Sequence, residues 1–278
     1  MHAMTIRPLC MMLLATVLLL TSSCATLSPN GVGRIKRYTI ESDRLPAAFD
    51  GCKVAFISDC HYPSLFTAKR LGRLVSSLSG MQPDILLLGG DYVSHNDSID
   101  ALFSALASVK PRYGTYAVLG NHERMNGEDV ARSMQKHGIV LLSDSIVCID
   151  SIGGLLSVAG VHDSFSNEPE MRQRIGSAWE RGFVLLLAHT PDYAENSSVK
   201  ADVVLSGHTH GGQVGLLGLY SPVKNTQYGN RFLHGMNMTS SGVPIITTSG
   251  VGTSRRKVRI CVPSEIVMLY LVVKSRHL

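Results

Sequence analysis

Short apolar runs alternate with amphipathic segments through the first half of the chain, and this alternation predicts strands alternating with helices. The runs at 54–58, 85–88 and 115–119 have the length and the Val, Ile and Leu content of buried strands. Between the first two runs, Leu71, Leu74, Val75 and Leu78 follow the i, i+3, i+4, i+7 spacing of one helix face. The same criteria predict helices at 67–81, 98–110, 128–137 and 168–181.

The second half of the chain is richer in strands. Further apolar runs lie at 139–145, 147–152, 155–161, 183–188, 201–206, 244–252, 258–262 and 265–273. The first three lie close together, as in hairpins, and nearly continuous apolar runs are typical of sheets that are covered on both faces. We therefore predict an α/β fold, a layered α/β/β/α sandwich of two mixed sheets flanked by helices. The polar, glycine-containing segment at 220–232 is predicted to be a loop over the cleft.

The composition indicates one large folded domain. Hydrophobic residues make up 45% and charged residues 17% of the 278 residues, which excludes a disordered chain. The net charge of +5 is not concentrated in a long basic run, so no nucleic-acid partner is expected. The domain itself is predicted at 50–275, preceded at 25–49 by a tether and a first strand.

The first 24 residues have the pattern of a secretory signal peptide. Arg7 precedes an apolar run at 9–20, and small residues follow it. Cys24, after two serines, resembles a bacterial lipoprotein box, in which that cysteine receives a lipid. The alternatives are an ordinary cleavage site at 23–25 and an uncleaved anchor, which needs about 20 apolar residues. All three place the domain outside the cytoplasm, and we expect a lipoprotein associated with the periplasmic face of the cell membrane.

Five polar clusters follow apolar runs, and each offers oxygen or nitrogen ligands. They are Asp59-Cys60-His61, Gly90-Asp91, Gly120-Asn121-His122-Glu123, His189 and Gly207-His208-Thr209-His210. Within a strand, residues i and i+2 face the same side, so Asp59 and His61 are expected to converge on one ion, with Cys60 turned away as a packing residue. His208 and His210 share this spacing. Carboxylate, imidazole and amide ligands suit ions such as Zn, Mn or Fe.

Each cluster alone has a simpler explanation. Asp-x-His occurs in surface turns, Gly and Asn both favour tight turns, and His-Thr-His could be a hydrogen-bonded pair. Five clusters of ligand type, all at the ends of predicted strands, instead favour a metal site with more than one ion.

In their order these clusters resemble the calcineurin-like metallophosphoesterases, over about residues 50–275. Gly211-Gly212-Gln213 and the segment 250–254 are similar to an exported or membrane-associated branch typified by YkuE and YaeI. The resemblance implies two divalent metal ions. The first would be held by Asp59, His61, Asp91 and His210, and the second by Asp91, Asn121, His189 and His208. His122 would protonate the leaving group. Glu123 stands where the family usually has Asp, and we expect its longer side chain to reach the imidazole of His122.

The resemblance implies hydrolysis of a phosphate ester or pyrophosphate bond by a metal-bridging hydroxide, since a metal lowers the pKa of its water toward about 7. The membrane tether favours a phosphorylated small molecule or lipid, and in particular a lipid-linked or envelope substrate. One alternative is a UDP-2,3-diacylglucosamine pyrophosphate hydrolase of lipid A biosynthesis. Its substrate is cytoplasmic, so this alternative needs an uncleaved anchor that is oriented with the domain inward. An alternative of another class is a metal-binding scaffold without turnover, although no ligand is missing. The signal segment and the lack of a basic channel count against a nuclease.

Two further groups are candidates for substrate binding. His162 and Asp163 follow an apolar strand, and the alternative for them is a simple turn. Arg255 and Arg256 follow a glycine-rich stretch and could contact phosphate, or could belong to a solvated surface turn. The cysteines beyond the N-terminal segment have neither zinc-ribbon nor disulfide-framework spacing, and free buried thiols are expected at Cys52, Cys60, Cys148 and Cys261.

Overall fold

The computed structural model describes residues 31–63, 66–161, 169–215, 221–254 and 258–275 of the chain. The helices in these ranges are α1 (Ala68–Met81), α2 (Ile99–Ala107), α3 (Gly127–Lys136), α4 (Pro169–Arg181) and α5 (Asp192–Ser197). Helix α1 shows why the predicted limits hold. The side chain of Thr67 accepts the backbone N–H of Arg70 at its start, and Gln82 ends it in a left-handed conformation.

The strands form two mixed sheets of six strands each. The first sheet contains, in spatial order, β1 (Arg34–Ser42), β12 (Glu265–Val273), β2 (Cys52–Ile57), β3 (Ile85–Leu88), β4 (Thr115–Ala117) and β5 (Val140–Leu141). The second contains β10 (Gly235–Met238), β11 (Pro244–Thr247), β9 (Val203–Ser206), β8 (Gly182–Leu187), β7 (Gly154–Gly160) and β6 (Ser145–Ser151). Neighbours are parallel from β2 to β5 and from β7 through β8 and β9 to β11. Strands β12, β6 and β10 supply the antiparallel pairs, with β2, β7 and β11 respectively.

The core consists of three apolar layers. Because alternate residues of a strand face opposite sides, Val54 and Phe56 of β2 pack between the two sheets, whereas Ala55 and Ile57 pack against helices. Helices α1, α2 and α3 cover the outer face of the first sheet. Helices α4 and α5 cover the outer face of the second sheet. This order of layers confirms the predicted α/β/β/α sandwich.

The structure differs from the sequence pattern at several short elements. The run at 139–145 supplies β5 to the first sheet, and only β6 and β7 form the expected hairpin. The run at 258–262 is not a strand, since Ile260 makes a single isolated bridge to Val214. The pattern also does not predict α5 or β10, because elements of six and four residues are too short to show a period.

The chain enters the first sheet at the edge where the parallel strands end. Strand β1 is parallel to β12, with Arg34 opposite Glu265, and β12 is antiparallel to β2. The start of β1 is therefore level with the carboxyl end of β2. It lies two strands away, which corresponds to about 10 Å.

The predicted signal segment at 1–24 and its Cys24 lie outside the described residues. Among the helices that the structure describes, none has the length and apolar character needed to cross a membrane.

Candidate metal centre

The candidate ligands lie in loops just beyond the strand ends. Asp59, His61, Asp91, His208 and His210 have positive φ angles of 60°, 49°, 55°, 67° and 52°. Such left-handed backbone is uncommon for residues other than glycine and costs about 1–2 kcal/mol per residue. The strand-based reason for the convergence of Asp59 and His61 is therefore wrong. Their side chains do reach one cluster, but tight turns bring them there.

The first cluster is fully buried and consists of Asp59, His61, Asp91 and His210, whose ligand atoms lie within 4.8 Å of one another. Nε2 of His61 is 3.1 Å from Nε2 of His210 and 3.7 Å from Oδ2 of Asp91. Nε2 of His210 is 3.5 Å from Oδ1 of Asp59. Both carboxylate oxygens of Asp59 accept the backbone N–H of His208, at 3.1 and 3.0 Å, which fixes this carboxylate.

The second cluster consists of Asp91, His189 and His208. Nε2 of His189 is 3.4 Å from Oδ1 of Asp91, 3.2 Å from Nδ1 of His208 and 3.2 Å from Oδ1 of Asn121. Nδ1 of His189 donates to the carbonyl of Gly89 at 2.7 Å, which orients the ring so that Nε2 faces the cluster. The spacing argument that grouped His208 with His210 is wrong, because the turn between them sends the two rings into different clusters.

The separations between these donors fit metal coordination. Two nitrogen ligands at about 2.1 Å from one ion, with angles of about 90–110° between them, lie about 3.0–3.4 Å apart. The pairs His61–His210 and His189–His208, at 3.1 and 3.2 Å, fall within this range. A cation between the members of each pair would satisfy both nitrogens. The donor set therefore fits two cations that share Asp91.

The electrostatics of the clusters also favour cations. Burial lowers the pKa of His61 and of His208 to about 4 and holds that of His210 well below its usual range, so these rings stay in the neutral form that binds metals. Burial disfavours the charged form of Asp91, but His189 and the other neighbouring imidazoles outweigh it and hold the Asp91 pKa well below its usual range. Burial likewise opposes protonation of His189, but the Asp91 carboxylate raises its pKa to about 10. The carboxylate thus attracts positive charge, which a metal ion also provides.

Glu123 joins two loops of the site. Its Oε2 accepts the backbone N–H groups of Asp91 and Gly120 at 2.9 and 2.8 Å, and its Oε1 accepts that of Tyr92 at 2.8 Å. The sequence predicts that this carboxylate orients the His122 ring, but both oxygens instead bind backbone donors. Glu123 therefore fixes Asp91 relative to the turn that carries His122.

His122 faces the solvent above the two clusters. Its side chain is 48% exposed, and its Nε2 lies 3.9 Å from Oδ2 of Asp91. Its backbone N–H donates to Oδ1 of Asp91 at 3.0 Å, which ties its position to that of the shared ligand. The ring lines a cavity of about 690 Å³, together with Asn121, Asn225 and Ser254. Asn225 belongs to the predicted loop at 220–232, so this segment does border the cleft.

Arg259 contributes to the site in a way that the sequence analysis does not predict. Its guanidinium donates to the carbonyl groups of His210, Ser249 and Gly252 at 3.1, 2.5 and 3.0 Å. Burial lowers its pKa to about 10, so it remains charged at neutral pH. It holds together the loops around His210. The sequence does contain one indication of this role. Arg259 lies within the apolar run at 258–262, and a charged side chain that is buried in such a run requires partners.

The remaining candidates have different outcomes. His162, Asp163, Arg255 and Arg256 lie outside the described residues. Cys60 is buried in the apolar layer beside α1, and burial raises the pKa of its thiol far above the usual range, which agrees with a packing role. Cys52 is also buried, whereas Cys148 is exposed and Cys261 half-buried, so the expected burial is wrong for these two.

Known proteins share this arrangement of sequence and fold. Residues 52–212, which include every candidate ligand, match the sequence model of the calcineurin-like phosphoesterases. The chain belongs to the calcineurin-like phosphoesterase family. It is therefore a metal-dependent hydrolase of phosphoric esters, as the sequence resemblance implied.

Bacterial relatives span most of this phosphoesterase. An uncharacterized metallophosphoesterase of Aquifex aeolicus is 31% identical and covers 85% of this chain and 90% of its own length. The uncharacterized metallophosphoesterase YkuE of Bacillus subtilis is 28% identical, with 84% coverage of both chains. The phosphodiesterase YaeI of Escherichia coli is 30% identical and covers 79% and 82%. Among solved structures, a dimetal phosphatase from Danio rerio superposes with a TM-score of 0.52 at 12% identity, over 80% of this chain and 93% of its own, which shows a shared fold.

Two glycines leave room for the clusters of this phosphoesterase. A Cβ atom on Gly120 would lie 2.2 Å from Oδ1 of Asp91, and one on Gly90 would lie 2.7 Å from Nδ1 of His189. Both distances are far inside van der Waals contact. Any side chain at either position must therefore displace a candidate ligand.

Gly120→Ala is expected to lower metal content and to reduce phosphoesterase activity by about 10²-fold, the scale of effect of a misplacement of about 1 Å in an active site. Gly176→Ala is the matched control, because a Cβ there meets nothing within 4 Å on α4. Elemental analysis and hydrolysis of an aryl phosphate ester would check both variants. Equal metal content and activity in the two variants would contradict the steric argument.

Proposed function

We propose that this phosphoesterase hydrolyses a phosphate ester or pyrophosphate bond with two divalent ions, Mn, Zn or Fe. One ion would be held by Asp59, His61, Asp91 and His210, and the other by Asp91, Asn121, His189 and His208. The observation that carries the proposal is the placement of Asp91, whose Oδ2 faces His61 at 3.7 Å while its Oδ1 faces His189 at 3.4 Å. Such a pair of ions, when bound, neutralises phosphate charge and lowers the pKa of a water molecule toward about 7.

His122 would act as the general acid. It is the candidate histidine that combines solvent exposure with a position over the clusters, so its ring can reach the departing oxygen of a bound ester. The reaction adds one water across the bond. The water oxygen joins the phosphorus, and His122 gives a proton to the departing oxygen and regains one from solvent. Imidazole is the side chain most often used for proton transfer of this kind.

The substrate is proposed to be a lipid-linked or envelope phosphate at the periplasmic face of the cell membrane. The signal-like segment ends at Cys24, and the ten residues 25–34 lead from it to the start of β1. Fully extended, they would span at most about 35 Å. Because β1 begins at the edge of the sheet that carries the site, a lipid on Cys24 would hold the site close to the membrane surface. This arrangement supports a membrane-bound substrate.

Metal analysis combined with hydrolysis assays tests the enzymatic part of the proposal. The purified protein is expected to contain two ions per chain and to hydrolyse bis(p-nitrophenyl) phosphate or p-nitrophenyl phosphate. A chelator should abolish this activity, and Mn, Zn or Fe should restore it. Bound metal without hydrolysis of either ester would contradict the proposal and favour a metal-binding scaffold.

Mass analysis of the mature N-terminus tests the location. A lipid-modified Cys24 at the N-terminus is expected. An uncleaved chain with its domain in the cytoplasm would contradict the proposed location and would restore cytoplasmic nucleotide-linked substrates as candidates.

A further inference from the structure

An apolar groove of about 390 Å³ opens beside the cavity over the metal clusters. Among the residues that the structure describes, three valines form its apolar walls, namely Val214, Val223 and Val258. The groove and the cavity share His210, Asn225 and Ser254, so the two spaces adjoin. His210 is a candidate ligand of the first cluster and also lines the groove. A molecule with its phosphate at the clusters could therefore extend directly into the groove.

The apolar side chains of this groove are unusually accessible. Val223 and Val258 are 50% and 47% exposed, and they come from two separate segments that face the same concave surface. Met125 is 96% exposed and lines the same active-site cavity as His122. Single exposed apolar residues are normal, but several around one concave site are typical of a binding surface for an apolar group.

Two polar side chains of the groove, those of Thr209 and Gln213, are engaged within the protein. The hydroxyl of Thr209 donates to the carbonyl of Leu233 at 2.6 Å, and Oε1 of Gln213 accepts the backbone N–H of Ser254 at 2.8 Å. Among the described residues that line the groove, His210 is the sole titratable side chain. A sugar or a nucleoside needs several hydrogen-bond partners, whereas a hydrocarbon chain needs none. The lining valines therefore favour a hydrocarbon occupant.

We infer that this groove seats the hydrocarbon chain of an amphiphilic phosphate ester whose phosphate lies at the metal clusters. The inference rests on the proposed function, because the position of the phosphate is taken from it. It narrows the substrate to an ester that carries an acyl, alkyl or prenyl chain within a few bonds of the phosphate. Val223 and Val258 would then determine the preference for chain length.

Alkyl p-nitrophenyl phosphodiesters with methyl, hexyl and dodecyl chains, used below their micelle-forming concentrations, test the groove. The leaving group is the same in all three, so differences in rate report the chain alone. A buried methylene contributes about 0.8 kcal/mol, or roughly four-fold in affinity. If the groove covers two or three methylenes of the chain, kcat/KM is therefore expected to be at least about 10-fold higher for the hexyl ester than for the methyl ester.

The double variant Val223→Asn/Val258→Asn is expected to bring the ratio of hexyl to methyl kcat/KM close to one. Both positions are exposed, so the substitutions should not prevent folding, which circular dichroism would check. Ile152→Asn is the matched control. Ile152 is 98% exposed in the turn before β7, at the opposite edge of the sheet from the clusters, and its loss should leave the ratio unchanged.

The outcomes separate the groove from the proposed function. A ratio of hexyl to methyl kcat/KM near one in the wild type would overturn the inference about the groove. The same ratio in the double variant as in the wild type would also overturn it. If none of the esters is hydrolysed, the proposed function is contradicted for phosphodiesters. Binding of alkyl phosphates, measured by calorimetry, then tests the groove independently of hydrolysis. Hexyl phosphate should bind the metal-loaded protein at least about 10-fold more tightly than methyl phosphate. Equal affinities would overturn the inference.

Discussion

Asp91→Asn is expected to abolish binding of at least one metal ion and to lower kcat/KM by at least about 10³-fold. Loss of a residue that merely supports a ligand typically costs 10–100-fold in metal affinity or activity, and Asp91 faces both clusters. Asparagine keeps the size of the side chain but removes its negative charge, and it offers a single oxygen where Asp91 offers two. The measurement is the metal-to-protein ratio together with hydrolysis of p-nitrophenyl esters.

The matched control for this variant is Asp97→Asn. Asp97 is an exposed carboxylate close in sequence, so the same loss of charge there should change neither metal content nor turnover. Retention of two ions by Asp91→Asn, at wild-type affinity, would show that Asp91 is not the shared ligand.

His122→Ala is expected to retain both metal ions and to lose about 10²–10⁴-fold in kcat on esters with poor leaving groups. The ring lies outside both clusters, so its removal leaves the ligands in place. Alkyl phosphates need a proton on the departing oxygen, whereas p-nitrophenolate departs readily without one. The loss should therefore be much smaller on p-nitrophenyl esters, and this difference is what identifies a general acid.

His137→Ala serves as the control for the imidazole. Its Nε2 pairs with Asp100 on the surface of α2, at the far end of α3 from the site. It should affect neither ester. If His122→Ala lost as much metal as Asp91→Asn, or slowed both classes of ester equally, the role of proton donor would be excluded.

The sequence predicts the architecture and the set of candidate ligands because both depend on residue type at regular spacing. Apolar runs indicate which segments are buried strands, and Asp, Asn and His directly after five of them indicate a shared edge. Spacing does not predict the loop conformations, since a left-handed turn such as that at Asp59 has no period. The two-residue spacing therefore gives a wrong reason for the pairing of Asp59 with His61, and it wrongly pairs His208 with His210.

Partners that are distant in the sequence are equally hidden. Glu123 binds the backbone of Asp91 and Tyr92, about 30 residues away, and nothing in its own neighbourhood indicates this. Arg259 follows the basic residues at 255–257, which suggests a solvated surface turn, yet its guanidinium is enclosed by carbonyl groups of two loops. The sheet that the run at 139–145 joins likewise depends on which edge strand is free to pair with it. These features follow from tertiary packing and not from local pattern.

The left-handed backbone at five candidate ligands has a consequence for the lifetime of the protein in the cell. Those conformations, together with the burial of several imidazoles and carboxylates, destabilise the folded chain by several kcal/mol. Ions that bind the folded chain and not the unfolded one stabilise the folded chain and so offset this destabilisation. A chain that fails to acquire its ions would unfold more often and would be degraded sooner. We expect the cell's proteases to remove the unloaded form, so that metal supply determines how much of the enzyme accumulates as well as how fast each molecule works.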